Sequence, residues 1–298
     1  MLKIRKFAAI DIGSNAMRVL VANVIETKDG VFFQKNALVR APVRLGEDSF
    51  TLGEISPKSI KRMVKSMKAF KLLMKVHGVS HYKAYATSAL REANNSKYVV
   101  DRIKKKVGIE IEIIDGRKEA EIISNSKITE FLNTQKTFLF VDVGGGSTEF
   151  TFIHEGKRKS SRSFKIGTVR LINGLVDDRV WEAIHHWIEK NAKAYNKITL
   201  MGSGGNINKL FKLANIKEGK PLSKLKLSVI HSELEALTYE ERILKLELNP
   251  DRADVILPAA KIYLKALEWS EGQKIYVPKF GLSDGMIKYM FKKLKKKR

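Results

Sequence analysis

The chain has 298 residues, 44% hydrophobic and 30% charged, which is typical of a globular protein with enough apolar residues for true cores. At this length two domains are expected rather than one. The absence of cysteine excludes disulfide frameworks and thiolate metal sites. The first residues lack the apolar run of a signal peptide, and lysines interrupt every hydrophobic segment, so we expect a cytoplasmic protein without a membrane span.

The formal net charge is +24, and the excess of Lys and Arg is spread widely along the chain. Such an excess serves solubility, or it attracts a polyanionic partner such as nucleic acid or inorganic polyphosphate. Charge alone does not separate these two explanations. The sequence contains no recognisable nucleic-acid reader motif, so no specific nucleic-acid binding is expected.

Two similar hairpins are predicted, one near the start of the chain and one near its middle. The first contains DIGSN at residues 11–15, and the second contains DVGGGST at residues 142–148. Each motif separates two apolar runs, a pattern that predicts strand, tight turn and strand. Aligned on Asp11 and Asp142, the segments match in character position by position, which predicts a duplicated domain. The apolar runs are 7–12 and 17–24 in the first hairpin, and 138–141 and 149–153 in the second.

The remaining elements alternate between strands and helices. Ser56 as a cap and Pro57 in the first turn predict a helix with an apolar core face. Its lysine-rich opposite face is typical of a solvated surface or, alternatively, of a polyanion path. Further elements are predicted as strands at 82–86, 109–114 and 198–201, and as helices at 180–195, at 251–269 and from a cap near Ser283.

This alternation predicts the α/β class, with two duplicated domains. We expect a boundary near 125–136, an N-terminal domain of residues 1–125 and a C-terminal domain of residues 126–298. The final helix, 284–298, is expected to pack back on the first domain.

Three glycine-rich turns follow predicted strands. Glycine lets backbone N–H groups approach an anion closely, so each turn is a candidate phosphate cradle. Taken singly, a Gly-Asn turn is also an ordinary hairpin turn. The third cluster, GSGG at 202–205, stands before a predicted helix, whose N-terminus favours negative charge. We expect all three turns to face one cleft.

Six motifs in order, DIGSNAMR, ATSALREA, DGRKEA, DVGGGSTE, GSGG and GLSDG, resemble the exopolyphosphatase/guanosine pentaphosphate phosphohydrolase (Ppx/GppA) family over nearly the whole chain. The chain resembles its short, two-domain type, without a long C-terminal helical extension. The resemblance implies two actin/sugar-kinase-like (ribonuclease H-like) domains around a central cleft. It also implies a divalent cation, usually Mg²⁺, and release of orthophosphate from a phosphate chain end or a nucleotide 5′-triphosphate.

Catalytic and metal-binding roles follow from the same resemblance. Glu119 in DGRKEA matches the family's catalytic glutamate and would orient or deprotonate the attacking water. Otherwise it is a first-turn acid that stabilises a helix dipole. Asp142 and Glu149 flank the second turn and suit Mg²⁺, and Asp11 would act through water. The alternative for these three acids is capping or turn stabilisation.

Phosphate contacts are predicted around the turns. Arg91 in SALRE corresponds to a family arginine that neutralises charge on the transferred phosphoryl group, unless it forms a structural salt bridge. Arg18 is a weaker candidate. The six histidines have no ligand spacing, so a zinc site is not expected. The predicted phosphate-binding residues are Gly13, Ser14, Asn15, Arg18, Gly144, Gly145, Gly146, Ser147, Thr148, Ser203 and Gly204.

The chain departs from the family at three positions. Ala16 and Asp115 stand where members commonly have Ser, and Lys118 stands where they have an acid. A cation beside Glu119 would favour the ionised carboxylate and attract polyphosphate, or it marks altered substrate choice or reduced activity.

The leading hypothesis is therefore an exopolyphosphatase that acts on inorganic polyphosphate. The alternatives are a guanosine pentaphosphate 5′-phosphohydrolase, a non-catalytic binder of polyphosphate or alarmone, and a kinase on the same fold. A homodimer is possible.

Overall fold

The computed structural model describes residues 2–124, 136–278 and 280–296. The described residues divide into two compact units. One contains 2–124 together with 281–296, and the other contains 136–278 and residue 280. The domain boundary predicted near 125–136 lies, apart from Lys136, outside the described residues.

The first unit contains a five-stranded sheet in the order β3-β2-β1-β4-β5. The first three strands are antiparallel neighbours, whereas β4 runs parallel to β1 and β5 parallel to β4. The central strand β1 is buried along its second half, as its apolar run predicts. The strands are β1 Lys3–Ile12, β2 Met17–Glu26, β3 Val31–Ala41, β4 His81–Ala86 and β5 Ile111–Ile113.

Helices of the first unit pack on this sheet. The predicted start of the longest one is present: the Ser56 side chain accepts a hydrogen bond from the Ser59 N–H, and Pro57 is the first helical residue. Residues of its apolar face, Met63, Met67 and Phe70 among them, are buried. The helices are α1 Leu45–Leu52, α2 Pro57–Val76, α3 Ser88–Glu92, α4 Ser96–Val107, α5 Gly116–Ser124 and α13 Leu282–Lys296.

The second unit contains a six-stranded sheet in the order β10-β11-β9-β6-β7-β8. Its strands are β6 Thr137–Val143, β7 Thr148–His154, β8 Lys157–Phe164, β9 Ile198–Ser203, β10 Leu222–Ser223 and β11 Lys274–Tyr276. Its helices are α6 Thr168–Ile172, α7 Asp178–Ala192, α8 Gly205–Leu213, α9 Lys224–Ala236, α10 Tyr239–Leu246, α11 Pro250–Ala253 and α12 Ile256–Trp269. No helix in the described ranges is both long and apolar enough to cross a membrane.

The strand orders confirm the predicted duplication. The series β3-β2-β1-β4-β5 in the first unit corresponds to β8-β7-β6-β9-β11 in the second. In both series three antiparallel strands are followed by two that run parallel to the central one. The predicted class, α/β with two ribonuclease H-like domains, is therefore correct.

Some predicted boundaries were wrong. The helix expected at 251–269 is interrupted between α11 and α12. Pro258 lies in the first turn of α12, and its ring is incompatible with a continuous helix through the carbonyl of Asp254. The final helix begins at Leu282, before the predicted cap Ser283, and the Asp284 carboxylate accepts a hydrogen bond from the N–H of Gly281.

The helix α13 packs inside the first unit. Phe291 makes edge contacts with Phe7 on β1 and Phe33 on β3, at centroid distances of 6.3 and 5.8 Å. At Gly285 an added Cβ would overlap the carbonyl oxygen of Ile122 on α5. The close approach of α13 to α5 therefore requires glycine at this position.

Candidate active site

The two predicted glycine turns have the same backbone geometry. We call residues 13–16 loop 1 and residues 144–147 loop 2. In loop 1 the N–H of Gly13 donates to the carbonyl of Ala16 at 3.1 Å, and in loop 2 the N–H of Gly144 donates to the carbonyl of Ser147 at 2.9 Å. Each loop thus closes a four-residue turn between paired strands.

The carbonyl groups of both loops are held by amides at the start of a helix. In loop 1, Ser14 O and Asn15 O accept from the N–H groups of Gly46 and Arg44, at 2.8 and 3.0 Å. A similar arrangement holds loop 2, with the accepting carbonyls one position earlier in the loop. There Gly144 O and Gly145 O accept from residues 168 and 169, the first residues of α6, at 3.0 and 2.8 Å.

Loop 2 has the geometry of an anion cradle. Its carbonyls are used by α6, and the amides of Gly145 and Gly146 have no protein acceptor among the described residues. Two successive N–H groups without a protein acceptor suit the oxygens of a phosphate group. The loop is fixed further by Arg170, whose buried Nε donates to Gly146 O at 2.8 Å.

Loop 2 also depends on Gly167, which sequence reasoning missed. A Cβ at this position would overlap the Gly145 carbonyl and lie 2.6 Å from the Gly146 nitrogen. The only signal in the sequence was a glycine immediately before a short helical segment.

Gly167→Ala is accordingly expected to destabilise the protein by about 2 to 3 kcal/mol, because backbone atoms of loop 2 must move to admit the methyl group. Urea unfolding followed by circular dichroism measures this. Gly281→Ala is the matched control, since a Cβ there meets no atom within 4 Å. If the two variants had equal free energies of unfolding, loop 2 would be able to move aside for the methyl group without loss of stability.

Two carboxylates face each other at the base of loop 2. Asp142 on β6 and Glu149 on β7 are directly paired residues of the antiparallel ladder, and they offer oxygens within 4.8 Å of each other. The Oε1 atom of Glu149 accepts hydrogen bonds from the hydroxyls of Ser147 and Ser163, at 2.7 and 2.8 Å. Like charges at directly opposed positions destabilise a sheet, and a bound cation would offset this. Two carboxylates with hydroxyls beside them are hard oxygen donors that fit Mg²⁺.

The equivalent position in the first unit carries the opposite charge. Asp11 pairs across the ladder with Arg18, whose Nη1 donates to Asp11 Oδ2 at 2.9 Å. Arg18 and Glu149 occupy matching positions of the duplicated hairpins. The first hairpin therefore contains an ion pair, whereas the second contains an acid pair. The metal role predicted for Asp11 and the phosphate role predicted for Arg18 stay predictions.

The hydroxyl groups of three predicted phosphate-binding residues are engaged inside their own units. Ser14 Oγ lies 2.9 Å from Ser88 Oγ, Ser147 donates to Glu149, and the Thr148 hydroxyl donates to Ile166 O at 2.7 Å. These side chains set the shape of the loops. Phosphate contacts from these residues would accordingly come mainly from backbone amides.

The third glycine cluster lies beside Asp142. Gly204 has φ +101°, which favours glycine, and an added Cβ would lie 3.2 Å from Asp142 Oδ1. The hydroxyl of Tyr263, a fully buried residue of α12, donates to Ser203 O at 2.8 Å. Burial, with a further contribution from Asp142, raises the pKa of Tyr263 well above its ordinary value, so the hydroxyl remains a donor. Tyr263 was not predicted from the sequence.

These features agree with the comparison with known proteins. The model of the Ppx/GppA phosphatase family matches residues 24–294. The chain belongs to the Ppx/GppA family.

Relatives of this Ppx/GppA protein carry several functional names. It is 27% identical to exopolyphosphatase 2 of Mycobacterium tuberculosis, over 84% of this chain and 86% of the relative. It is 28% identical to a bifunctional 3-dehydroquinate synthase/phosphatase of Fusobacterium nucleatum, over 88% of this chain. A guanosine-5′-triphosphate,3′-diphosphate pyrophosphatase of Photobacterium profundum is 27% identical over 97% of this chain. The match spans only 43% of the bifunctional protein and 60% of the pyrophosphatase.

Solved structures of the family superpose well. An exopolyphosphatase from Cytophaga hutchinsonii is 25% identical, with a TM-score of 0.85 and coverage of 97% of this chain and 98% of that one. The Ppx/GppA family member from Aquifex aeolicus is 27% identical, with a TM-score of 0.77 and coverage of 98% and 99%. Both cover the chain nearly from end to end, so the likeness extends to both units.

In the first unit of this Ppx/GppA protein, Glu119 is a buried residue in the first turn of α5. Its N–H donates to Asp115 O at 2.9 Å, and Asp115 Oδ1 accepts from the N–H of Lys118 at 2.7 Å. The departure at Asp115 thus preserves a helix cap. Arg91 Nη1 donates to Ile114 O at 2.7 Å, just before the helix. Arg91 therefore holds the segment that carries Glu119, and its predicted catalytic role stays a prediction.

Lys118, another position at which the chain departs from the family, contacts α13 through its side chain. Lys118 Nζ donates to the Tyr289 hydroxyl at 2.7 Å and lies 3.7 Å from Glu121. The bond to Tyr289 raises the pKa of Lys118, and the same bond, with Lys293, lowers the pKa of Tyr289. The ammonium group stabilises the α5–α13 contact.

Proposed function

We propose that this protein is an exopolyphosphatase that releases orthophosphate from the end of inorganic polyphosphate with the aid of a divalent cation, expected to be Mg²⁺. One observation carries the proposal. The acid pair Asp142 and Glu149 lies at the base of loop 2, whose amides at Gly145 and Gly146 suit a phosphate group. An anion cradle beside two hard carboxylate donors is what metal-assisted phosphoryl transfer requires.

The second unit would bind both the terminal phosphate and the cation. The amides of loop 2 would bind oxygens of the terminal phosphate, and Ser147 and Ser163 would keep Glu149 in its ligating orientation. Asp142 and Glu149 would hold the cation, which when bound neutralises charge on the phosphoryl oxygens.

In the first unit, Glu119 is proposed as the general base that orients or deprotonates water. Its support is the match of DGRKEA to the family motif and its burial in a capped helix turn, where a carboxylate is held in place. Arg91 would neutralise developing charge or, through Ile114 O, position the helix.

The basic composition favours polyphosphate over a nucleotide as substrate, since the net charge is +24. The names of relatives include both exopolyphosphatase and guanosine-5′-triphosphate,3′-diphosphate pyrophosphatase. Hydrolysis of guanosine pentaphosphate is therefore the second candidate. Cytoplasmic location and a homodimer stay predictions from the sequence.

A substrate panel tests the proposal. Phosphate release is measured with polyphosphates of several lengths, tripolyphosphate, guanosine pentaphosphate and ATP, with Mg²⁺ and with excess chelator. We expect the highest kcat/KM with polyphosphate and loss of release with chelator. A higher kcat/KM with guanosine pentaphosphate would favour the second candidate, and binding without release under any metal would indicate a non-catalytic binder.

A further inference from the structure

The edge strand β8 of the second unit is strongly basic and exposed. Its sequence, KRKSSRSF, contains four cations and no acid. It is the terminal strand of the six-stranded sheet, so within residues 2–124, 136–278 and 280–296 no strand pairs with its outer edge. Every residue of 157–164 except Ser160 and Phe164 is exposed.

One face of β8 leads directly to the candidate active site. Ser163 Oγ donates to Glu149 Oε1 at 2.8 Å, and Ser161 Oγ lies 2.8 Å from Thr151 Oγ1. Directly paired residues of a sheet share a face, so Ser163 and Ser161 lie on the face of Glu149.

A cationic side chain, that of Arg158, lies farther along the same face of β8. The ladder shifts register between Phe152 and Ile153, and beyond this irregularity Arg158 pairs with Ile153. Ile153 lies two residues after Thr151 in β7, so the two side chains are on the same face of the sheet. Arg158 pairs with Ile153 and therefore lies on this face too, and Lys159 is the extra residue at the register shift. From Ser163 to Arg158 the strand extends about 15 Å.

The other face of β8 has no comparable series of hydroxyl and cationic side chains. Arg162 pairs with the buried Phe150, and its guanidinium lies 4.7 Å from the centroid of the Phe164 ring. Cations on an edge strand also prevent unwanted strand pairing. That role does not require two hydroxyls and a guanidinium aligned with Glu149.

We propose that the Glu149 face of β8, with Lys159, binds the phosphates of a polyphosphate chain behind its reacting end. The Ser161 hydroxyl, which can accept from Thr151, donates to a phosphate oxygen near the acid pair, and Arg158 and Lys159 bind phosphates farther along, while the Ser163 hydroxyl keeps donating to Glu149. The inference rests on the proposed exopolyphosphatase function and adds to it the direction in which the chain leaves the site.

The test compares a double variant, R158Q/K159Q, with a control that has the same charge change, K217Q/K220Q. The control residues are exposed and precede β10, the strand at the opposite edge of the sheet. In R158Q/K159Q we expect the KM for long-chain polyphosphate to rise about tenfold and its salt dependence to become shallower. The kcat should not change, and neither should the KM for tripolyphosphate, which is too short to reach Arg158. The control should match the wild type.

Three kinetic results would overturn the inference: an unchanged KM for long chains, an equal rise for tripolyphosphate, or an equal rise in the control. Anisotropy of fluorescently labelled polyphosphate gives a readout that does not depend on turnover. If the wild type releases no phosphate, the proposed function fails, but the labelled chain must still bind about tenfold more weakly to R158Q/K159Q. An equal loss of affinity for a single-stranded DNA oligonucleotide would assign the effect to general charge and overturn the inference.

Discussion

Glu149→Gln is expected to lower kcat for phosphate release by about 10³-fold. The substitution keeps the size of the side chain and leaves an oxygen for the hydroxyls of Ser147 and Ser163, but it removes one of the two facing negative charges. A hard divalent cation prefers carboxylate oxygens to a neutral amide, so metal affinity should fall together with activity. Asp142→Asn, which changes the other member of the pair, should have the same effect.

Metal affinity can be measured separately from activity. Binding of Mn²⁺ by electron paramagnetic resonance should weaken in both variants. Glu155→Gln is the matched control, because Glu155 lies at the exposed turn between β7 and β8. If Mn²⁺ bound as tightly to Glu149→Gln as to the wild type while activity disappeared, Glu149 would act as something other than a metal ligand.

Glu119→Gln is expected to lower kcat by about 10²- to 10⁴-fold with little change in KM for polyphosphate. The amide cannot accept a proton from water, but it fits the same buried space in the first turn of α5. The backbone bonds of the turn, from the N–H groups of residues 118 and 119 to Asp115, do not involve this side chain. The helix should therefore remain intact.

The control for this variant is Glu121→Gln, on the same helix. Glu121 is exposed and lies 3.7 Å from the Lys118 ammonium, so its loss should change kcat less than threefold. Steady-state phosphate release under saturating Mg²⁺ gives both values. Undiminished kcat in Glu119→Gln would remove Glu119 from the mechanism and leave the roles of Asp142 and Glu149 to be judged by their own variants.

The parts of the fold that depend on local sequence were predictable. Loops 1 and 2 follow from glycine after an apolar run, because the chain needs only neighbouring residues to form such a turn. The duplication was visible because both hairpins repeat the same order of residue types. The pairing of Asp142 with Glu149 follows from a short hairpin with a known register.

What could not be predicted depends on contacts between distant residues. Tyr263 reaches Val141, 122 positions away, and the contact of Gly167 with loop 2 arises only once β8 returns along β7. The edge strands β3 and β8 escaped prediction because neither shows an apolar alternation. The exposed positions of β8 are all polar, and β3 exposes apolar residues such as Phe32 and Leu38. Ser163 therefore could not be linked to Glu149 from sequence.

The position of α13 has a consequence for biosynthesis. This helix supplies Phe291 to the aromatic cluster of the first unit and crosses α5 at Gly285, yet it leaves the ribosome after the entire second unit. During translation, β1 and α5 keep apolar surface exposed until this helix emerges. The second unit is encoded by one uninterrupted stretch and can complete its core earlier, so co-translational folding should proceed from the middle of the chain outward.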